Sequence, residues 1–311
     1  MCSLASSSVL YATLPAVGVP HFLTAAIAHA AHRTRTALVV VLVADLFDSP
    51  ATAAWNDIQQ LLTYVYVQAT KATQDAGRLL MHVDVLLQGP RAPLPEPLVP
   101  PDLVFRVEGD SAPLPPLLAA LPQETAPRSA SAAPSPAPSS SGLASPAPRF
   151  PVVALGGTFD HLHAGHKILL SMAAYIAAEK LIVGVTDDAL LTRKVHAQVL
   201  ESLAQRTAAV RAFLTAFRPQ LAYDIVPISD VYGPTGWDAN IQALVVSKET
   251  ASGAAAIAAH RASHGLPPLE TFTIDVISAT STNLSDADAD LLKQTKMSST
   301  YIREWIVKNG Q

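Results

Sequence analysis

The stretch Gly156-Gly157-Thr158-Phe159-Asp160-His161-Leu162-His163-Ala164-Gly165-His166 decides how this chain is read. It follows an apolar run at 152–155 and precedes a helical pattern over 165–178, so it is a strand-to-helix turn. Paired glycines let a backbone bend tightly and approach a ligand with no Cβ in the way. A helix that starts near Ala164 points its free N–H groups and the positive end of its dipole at that turn, a ready phosphate site. His163 and His166 are three residues apart, so both side chains reach one turn-to-helix junction. Imidazoles placed there can donate to phosphate oxygens and stabilise charge that grows during transfer. Two such histidines could also bind zinc, but no third ligand stands at a usual spacing.

Working outward, the spacing predicts strands over 152–155, 181–185, 221–228, 243–246 and 271–277, with helices over 165–178, 203–217, 251–263 and 299–308. This alternation predicts an α/β fold: a doubly wound, five-stranded parallel sheet of Rossmann-like type with right-handed crossovers. Ligands of such sheets sit at the carboxyl ends of the strands, where the strand order reverses.

Residues 122–149 hold seven Pro, seven Ser and seven Ala, with Leu143 the one sizeable apolar side chain. So little burial cannot offset ordering entropy, and the segment is expected to be a disordered linker. Three parts follow: an N-terminal unit at 1–121, the linker at 122–149, and the site-bearing domain at 150–311. Apolar runs at 8–14, 37–44 and 79–87 alternate with helical stretches at 21–32 and 55–73, which predicts a smaller α/β unit ahead of the linker. His21, His29 and His32 lie on or near one helix without an evident acidic or cysteine partner, and are read as surface residues. No function is legible in this unit.

The 311 residues are half hydrophobic, which excludes global disorder, and the formal charge of −4 argues against nucleic acid as a main partner. Cys2 is the single cysteine, too few for a disulfide framework. A reducing, intracellular setting is expected. The longest apolar runs fall short of the ~20 residues a membrane span needs. No acidic residue precedes Asp45, as in an organelle presequence, but no basic one precedes Arg33, and Pro15 and Pro20 interrupt any helix. Cytoplasmic placement is therefore expected, with mitochondrial targeting the alternative.

A second signature lies near the C-terminus: Lys296-Met297-Ser298-Ser299-Thr300-Tyr301-Ile302-Arg303. Hydroxyls at the start of a helix, with its N–H groups, can grip phosphates, and an arginine adds charge. Together the two stretches resemble the HxGH and SSTxIR signatures of the nucleotidyltransferase superfamily. Between them, Val183-Gly184-Val185-Thr186-Asp187, Asp230-Val231-Tyr232-Gly233-Pro234-Thr235-Gly236 and Leu244-Val245-Val246-Ser247-Lys248-Glu249-Thr250 resemble phosphopantetheine adenylyltransferases of the eukaryotic and archaeal kind. The resemblance covers about residues 150–308 and extends to the adenylyltransferase part of coenzyme A synthase.

That resemblance implies transfer of AMP from ATP to 4′-phosphopantetheine, giving dephospho-coenzyme A and pyrophosphate without a covalent intermediate. It implies His166 and Lys194 as stabilisers of the transferring phosphate, and Thr158 as the residue that orients the acceptor phosphate. Arg193 could serve in place of Lys194. Gly156, Gly157, Phe159, Asp160, His163, Arg206, Ser247, Glu249, Thr250, Arg261, Ser298, Ser299, Thr300 and Arg303 would contact ATP or acceptor. Arg261 matches the arginine of the family's Asn-x-x-Arg element, although Ala258 stands where the asparagine belongs. Mg2+ would arrive with ATP, with no side-chain metal ligand. The acidic stretch 285–290 is read as a solvated loop. No Gly-x-x-x-x-Gly-Lys-Ser/Thr loop is present, so a dephospho-coenzyme A kinase would be a separate protein and a possible associate. The alternatives are a cytidylyltransferase or flavin-nucleotide synthase of the same superfamily, an aminoacyl-tRNA synthetase, or a non-catalytic scaffold of the coenzyme A pathway. The chain is short and acidic for a tRNA platform.

Overall fold

An apolar, largely β-branched run makes the second strand of the chain. The run Val39-Val40-Val41-Leu42-Val43 cannot sit on a half-wet sheet, and Leu38, Val40, Val41 and Leu42 are in fact fully buried. The computed structural model describes residues 4–16, 18–48, 52–94, 100–130, 149–274 and 297–310. It divides the chain into two units, Met1–Pro148 and Arg149–Gln311.

The first unit contains β1 (Ala5–Thr13), α1 (Thr24–Arg33), β2 (Thr34–Val43), α2 (Trp55–Asp75), β3 (His82–Gln88), β4 (Leu103–Val107), the single turn α3 (Pro116–Ala119) and β5 (Gln123–Ala126). Its strands form one parallel sheet in the order β3-β2-β1-β4-β5. This corrects the linker boundary. The segment 122–149 begins as an edge strand, with Val104–Val107 paired to Gln123–Ala126. An edge strand needs little apolar surface, and here only Ala126 is fully buried. The chain then bonds back to the start of α1 and the turn before it: Ser129 N–H donates to Phe22 O at 3.0 Å, and Ala25 N–H to Ser129 Oγ at 2.8 Å. Residues 131–148 lie outside the described residues.

β5 also supplies the partner that His29 lacked in sequence. His29 Nε2 lies 2.7 Å from Glu124 Oε1, and Arg33 Nη2 donates to Glu124 Oε2 at 2.9 Å. His21 packs edge-on against Tyr64, with Nδ1 3.2 Å from the phenol oxygen. His21 and His32 are exposed, as expected of surface residues, whereas His29 is half-buried.

The second unit contains β6 (Phe150–Gly157), α4 (Ala164–Ile176), β7 (Ala177–Thr186), α5 (Leu203–Phe217), β8 (Ala222–Ile228), β9 (Ala243–Ser247), α6 (Ala251–Ser263), β10 (Glu270–Ile274) and α7 (Ser299–Asn309). The strands are all parallel, in the order β10-β9-β6-β7-β8. This is the expected doubly wound arrangement. α5 shows why the elements were readable. Val210, Phe213, Leu214 and Phe217 repeat at helical spacing and are buried, and Ser202 with Gln205 closes a capping box at the N-terminus. α4 instead is buried throughout from Lys167 to Ile176 and passes directly into β7 at Ala177, two residues before the end expected for it. Residues 275–277 of the fifth expected strand, the acidic stretch 285–290 and Lys296 lie outside the described residues. Among the described residues no helix is long and apolar enough to cross a membrane.

Candidate active site

β6 and β9 are adjacent in the sheet but belong to opposite winding directions, so their carboxyl ends flank the switch point. Two cavities open there. One, of about 390 Å3, lies among His163, His166, Lys194, Ser247–Thr250 and Met297–Thr300. The other, of about 510 Å3, is more apolar and reaches Leu155, Ile228, Tyr232 and Ile257. Gly156, Gly157, Thr158 and Thr250 line both.

The turn after β6 is tight. A Cβ on Gly157 would stand 3.0 Å from the Phe159 ring, so the close approach itself selects glycine. Phe159 and His161 take left-handed φ values of 54° and 45°. Such residues cost roughly 1–3 kcal/mol each and persist only where their surroundings hold them. The surroundings are visible. Arg206 Nη1 donates to Thr158 O at 2.7 Å, His161 N–H to Glu201 Oε2 at 2.7 Å, and His161 Nε2 to Val199 O at 2.8 Å.

Beyond the turn, His163 is the N-cap of α4 with no side-chain bond capping it, and Lys167 N–H is bonded to His163 O at 3.0 Å. The first-turn N–H groups thus face the cavity region with their dipole, as anion sites do. The His163 and His166 rings stack at 3.9 Å, and Phe159 meets His166 edge-on at 5.4 Å. Both rings line the cavity, while both Nδ1 atoms are buried without a hydrogen-bond partner. Burial, then the nearby Lys167 and His161, pushes His163 down to about 4. Burial, then His163, holds His166 well below the ordinary histidine range. Both are neutral at neutral pH.

The second signature meets the first here. Ser299 Oγ donates to Asp160 O at 2.7 Å, although 139 positions separate them. Arg303 Nη1 bonds the Asp160 carboxylate, and both side chains are essentially sealed from solvent. Arg303 also donates from Nε to Val195 O at 2.9 Å, which ties the loop bearing Lys194 to the same knot. Ser298 caps α7, its Oγ accepting from Tyr301 N–H at 3.2 Å.

The residues singled out in the sequence thus divide. Gly156, Gly157, Thr158, Phe159, His163, His166, Lys194, Ser247, Glu249, Thr250, Ser298, Ser299, Thr300 and Arg303 line the smaller cavity. Lys194 does so and Arg193 does not. Three others do not line either cavity. Asp160 is consumed by Arg303 and by Glu201 N–H at 2.9 Å. Arg206, fully buried, donates to Glu201 O, Thr158 O, Thr186 O and Asp188 Oδ1. Arg261, also buried, donates to Pro267 O, Thr235 O and Asp238 O. These three hold the loops that build the site, and the ligand-contact reading of them is corrected. The walls of the larger cavity, Ile182, Ile228, Val231 and Ile257 among them, had no sequence signal beyond the Tyr-Gly-Pro block.

A family model described as cytidylyltransferase-like matches residues 154–305. A phosphopantetheine adenylyltransferase of Saccharomyces cerevisiae is 43% identical over 129 residues, 42% of each chain. An uncharacterized protein of Schizosaccharomyces pombe is 42% identical over 158 residues, 50% of this chain and 48% of its own. A phosphopantetheine adenylyltransferase of Methanopyrus kandleri is 38% identical over 132 residues, 42% of this chain and 83% of its own. The match therefore spans under half of either fungal relative and most of the archaeal one.

Proposed function

The chain belongs to the phosphopantetheine adenylyltransferase family, and from that premise we propose that its second unit transfers AMP from ATP to 4′-phosphopantetheine. The products are dephospho-coenzyme A and pyrophosphate. The observation that carries this reading is the meeting of two unlike cavities at Gly156-Gly157-Thr158, one rich in phosphate-binding groups and one largely apolar.

The triphosphate lies in the smaller cavity between the His163–His166 pair and the Ser298–Thr300 cap. Its base and ribose lie toward Ser247–Thr250. The pantetheine arm lies in the larger cavity, with its terminal phosphate near Thr158. That phosphate attacks the α-phosphorus in line, its oxygen forming the new P–O bond as the bond to pyrophosphate breaks. The nucleophile is already an anion at neutral pH, so no general base is needed and catalysis reduces to positioning and charge stabilisation. His166 donates its one N–H to the transferring phosphate, and Lys194 supplies positive charge from the cavity wall. Mg2+ would arrive with ATP and would offset triphosphate charge.

Purified chain incubated with Mg-ATP and 4′-phosphopantetheine should yield the mass of dephospho-coenzyme A together with released pyrophosphate. CTP in place of ATP tests the cytidylyltransferase alternative that the matching family model suggests. Product with CTP and none with ATP would overturn the adenylyl reading. Ser299→Ala should raise the apparent ATP constant, and an unchanged constant would remove Ser299 from the phosphate grip.

A further inference from the structure

Three glycines of the larger cavity stand on different elements: Gly156 is next to last in β6, Gly184 lies within β7, and Gly233 follows β8. Gly156 and Gly184 are register partners across the β6–β7 ladder. Neither has a left-handed φ, so backbone geometry does not demand glycine at either. Gly233 has a left-handed φ of 46°, which favours glycine by itself, and all three positions face one side chain, Ile228, which crowds Gly184 and Gly233 and makes ordinary contact at Gly156. A Cβ on Gly184 would come within 2.9 Å of Ile228 Cγ2 and 3.1 Å of Cδ1. A Cβ on Gly233 would come within 2.7 Å of Ile228 Cγ2, and one on Gly156 would meet Ile228 Cδ1 at 3.5 Å. Ile228, the last residue of β8, lies across a seat of bare backbone, and its other side faces the cavity that it lines.

We infer that Ile228 is the specificity-determining residue of the acceptor cavity: seated on Gly156, Gly184 and Gly233, it fixes the cavity's depth and admits a slender chain. This deepens the proposed function and rests on it for the identity of the acceptor. The seat leaves the side chain one direction in which to give. A methyl group at position 184 would lift Ile228 into the cavity, because the side chain is the movable partner and the strand backbone is not. Removing the isoleucine would leave the arm without a floor to pack on.

The test measures KM for 4′-phosphopantetheine and for ATP separately in wild type, Gly184→Ala, Ile228→Ala and the double variant. Gly184→Ala and Ile228→Ala should each raise the acceptor KM about tenfold, with the ATP KM essentially unchanged. In the double variant the alanine methyl occupies space that the isoleucine vacated, so the acceptor KM should return to within about threefold of wild type, a coupling expected only for groups in contact. Ile228→Phe, which changes no glycine, fills the cavity from above and should raise the acceptor KM alone; it serves if Gly184→Ala fails to fold. An unchanged acceptor KM in both Gly184→Ala and Ile228→Phe, or single effects that simply multiply in the double variant, would overturn the inference. Wild type that forms no product sinks the reading of the site and this inference together, whereas active wild type with indifferent variants sinks the inference alone.

Discussion

Numbered in chain order within each unit, the two sheets have one strand order, 3-2-1-4-5, the second being β8-β7-β6-β9-β10. Each therefore has a switch point between its first and fourth strands. In the second unit those strand ends carry Gly156–His166 and Ser247–Thr250 and open onto cavities. In the first unit the corresponding ends are closed by the chain itself. The Asp110 carboxylate, just past β4, accepts from Thr13 N–H at 2.7 Å and Ala112 N–H at 3.0 Å. Arg106 donates to Asp110 O and Ala112 O. Topology thus decides where a site can form. Whether one does form depends on whether the loops there leave backbone donors free or spend them on a carboxylate of their own.

The largest effect should come from cutting the knot that joins the two signatures of the second unit. Asp160→Asn leaves the Arg303 cation buried without its anion, and losing one member of such a pair costs about 3–5 kcal/mol. Urea unfolding should read that loss. A much smaller one would mean that the carbonyl of Val195 and the hydroxyl of Thr300 suffice to hold Arg303. Next, His166→Ala should lower turnover about 10²–10³-fold with the fold intact, as the loss of one preorganised donor does. Near-wild-type pyrophosphate release would remove His166 from the chemistry and with it much of the contrast between the two switch points.

How far the sequence revealed this contrast depended on which physical signal each residue left. The second sheet was legible because 203–217 and 251–263 have capped or clearly bounded helical patterns, and the helices found there match to the residue. β4 was hidden behind Pro93, Pro95, Pro97, Pro100 and Pro101, and β5 inside a Pro/Ala/Ser-rich segment where its polar alternation resembles solvent-exposed chain. At the site, glycine, histidine and hydroxyl clusters marked the cavity that the fold assembles. Arg206 and Arg261 misled because a guanidinium offers the same donors to a phosphate as to backbone carbonyls, and only coordinates reveal which oxygens it meets. Ile228 left no trace, since an isoleucine at a strand end reads as ordinary core.

The pH response sharpens the comparison more gently. His163 and His166 are held neutral in the folded second unit, with their pKa values depressed below the unfolded value. A depressed histidine binds fewer protons folded than unfolded, so stability falls as pH drops below about 6.5 and levels off near the folded value. The double variant His163→Gln/His166→Gln should flatten the decline in Tm of the second unit between about pH 6.5 and pH 4. An equally steep decline in that variant would place its origin outside the two imidazoles.

The smallest effect on turnover, and the sharpest test of the comparison, belongs to Asp110. Asp110→Ala removes the acceptor of two backbone N–H groups and should destabilise the first unit by about 1–3 kcal/mol, because those donors lose their partner. Turnover at saturating substrates should not change, since the proposed chemistry belongs to the other switch point. The same substitution frees the donors at a strand end that corresponds to the proposed phosphate site of the second unit. If Asp110→Ala acquired measurable affinity for pyrophosphate by calorimetry, the first sheet would be a site blocked by one carboxylate. If it lost stability and gained no affinity, the closure would be built into the whole loop, and the shared strand order would carry no latent site.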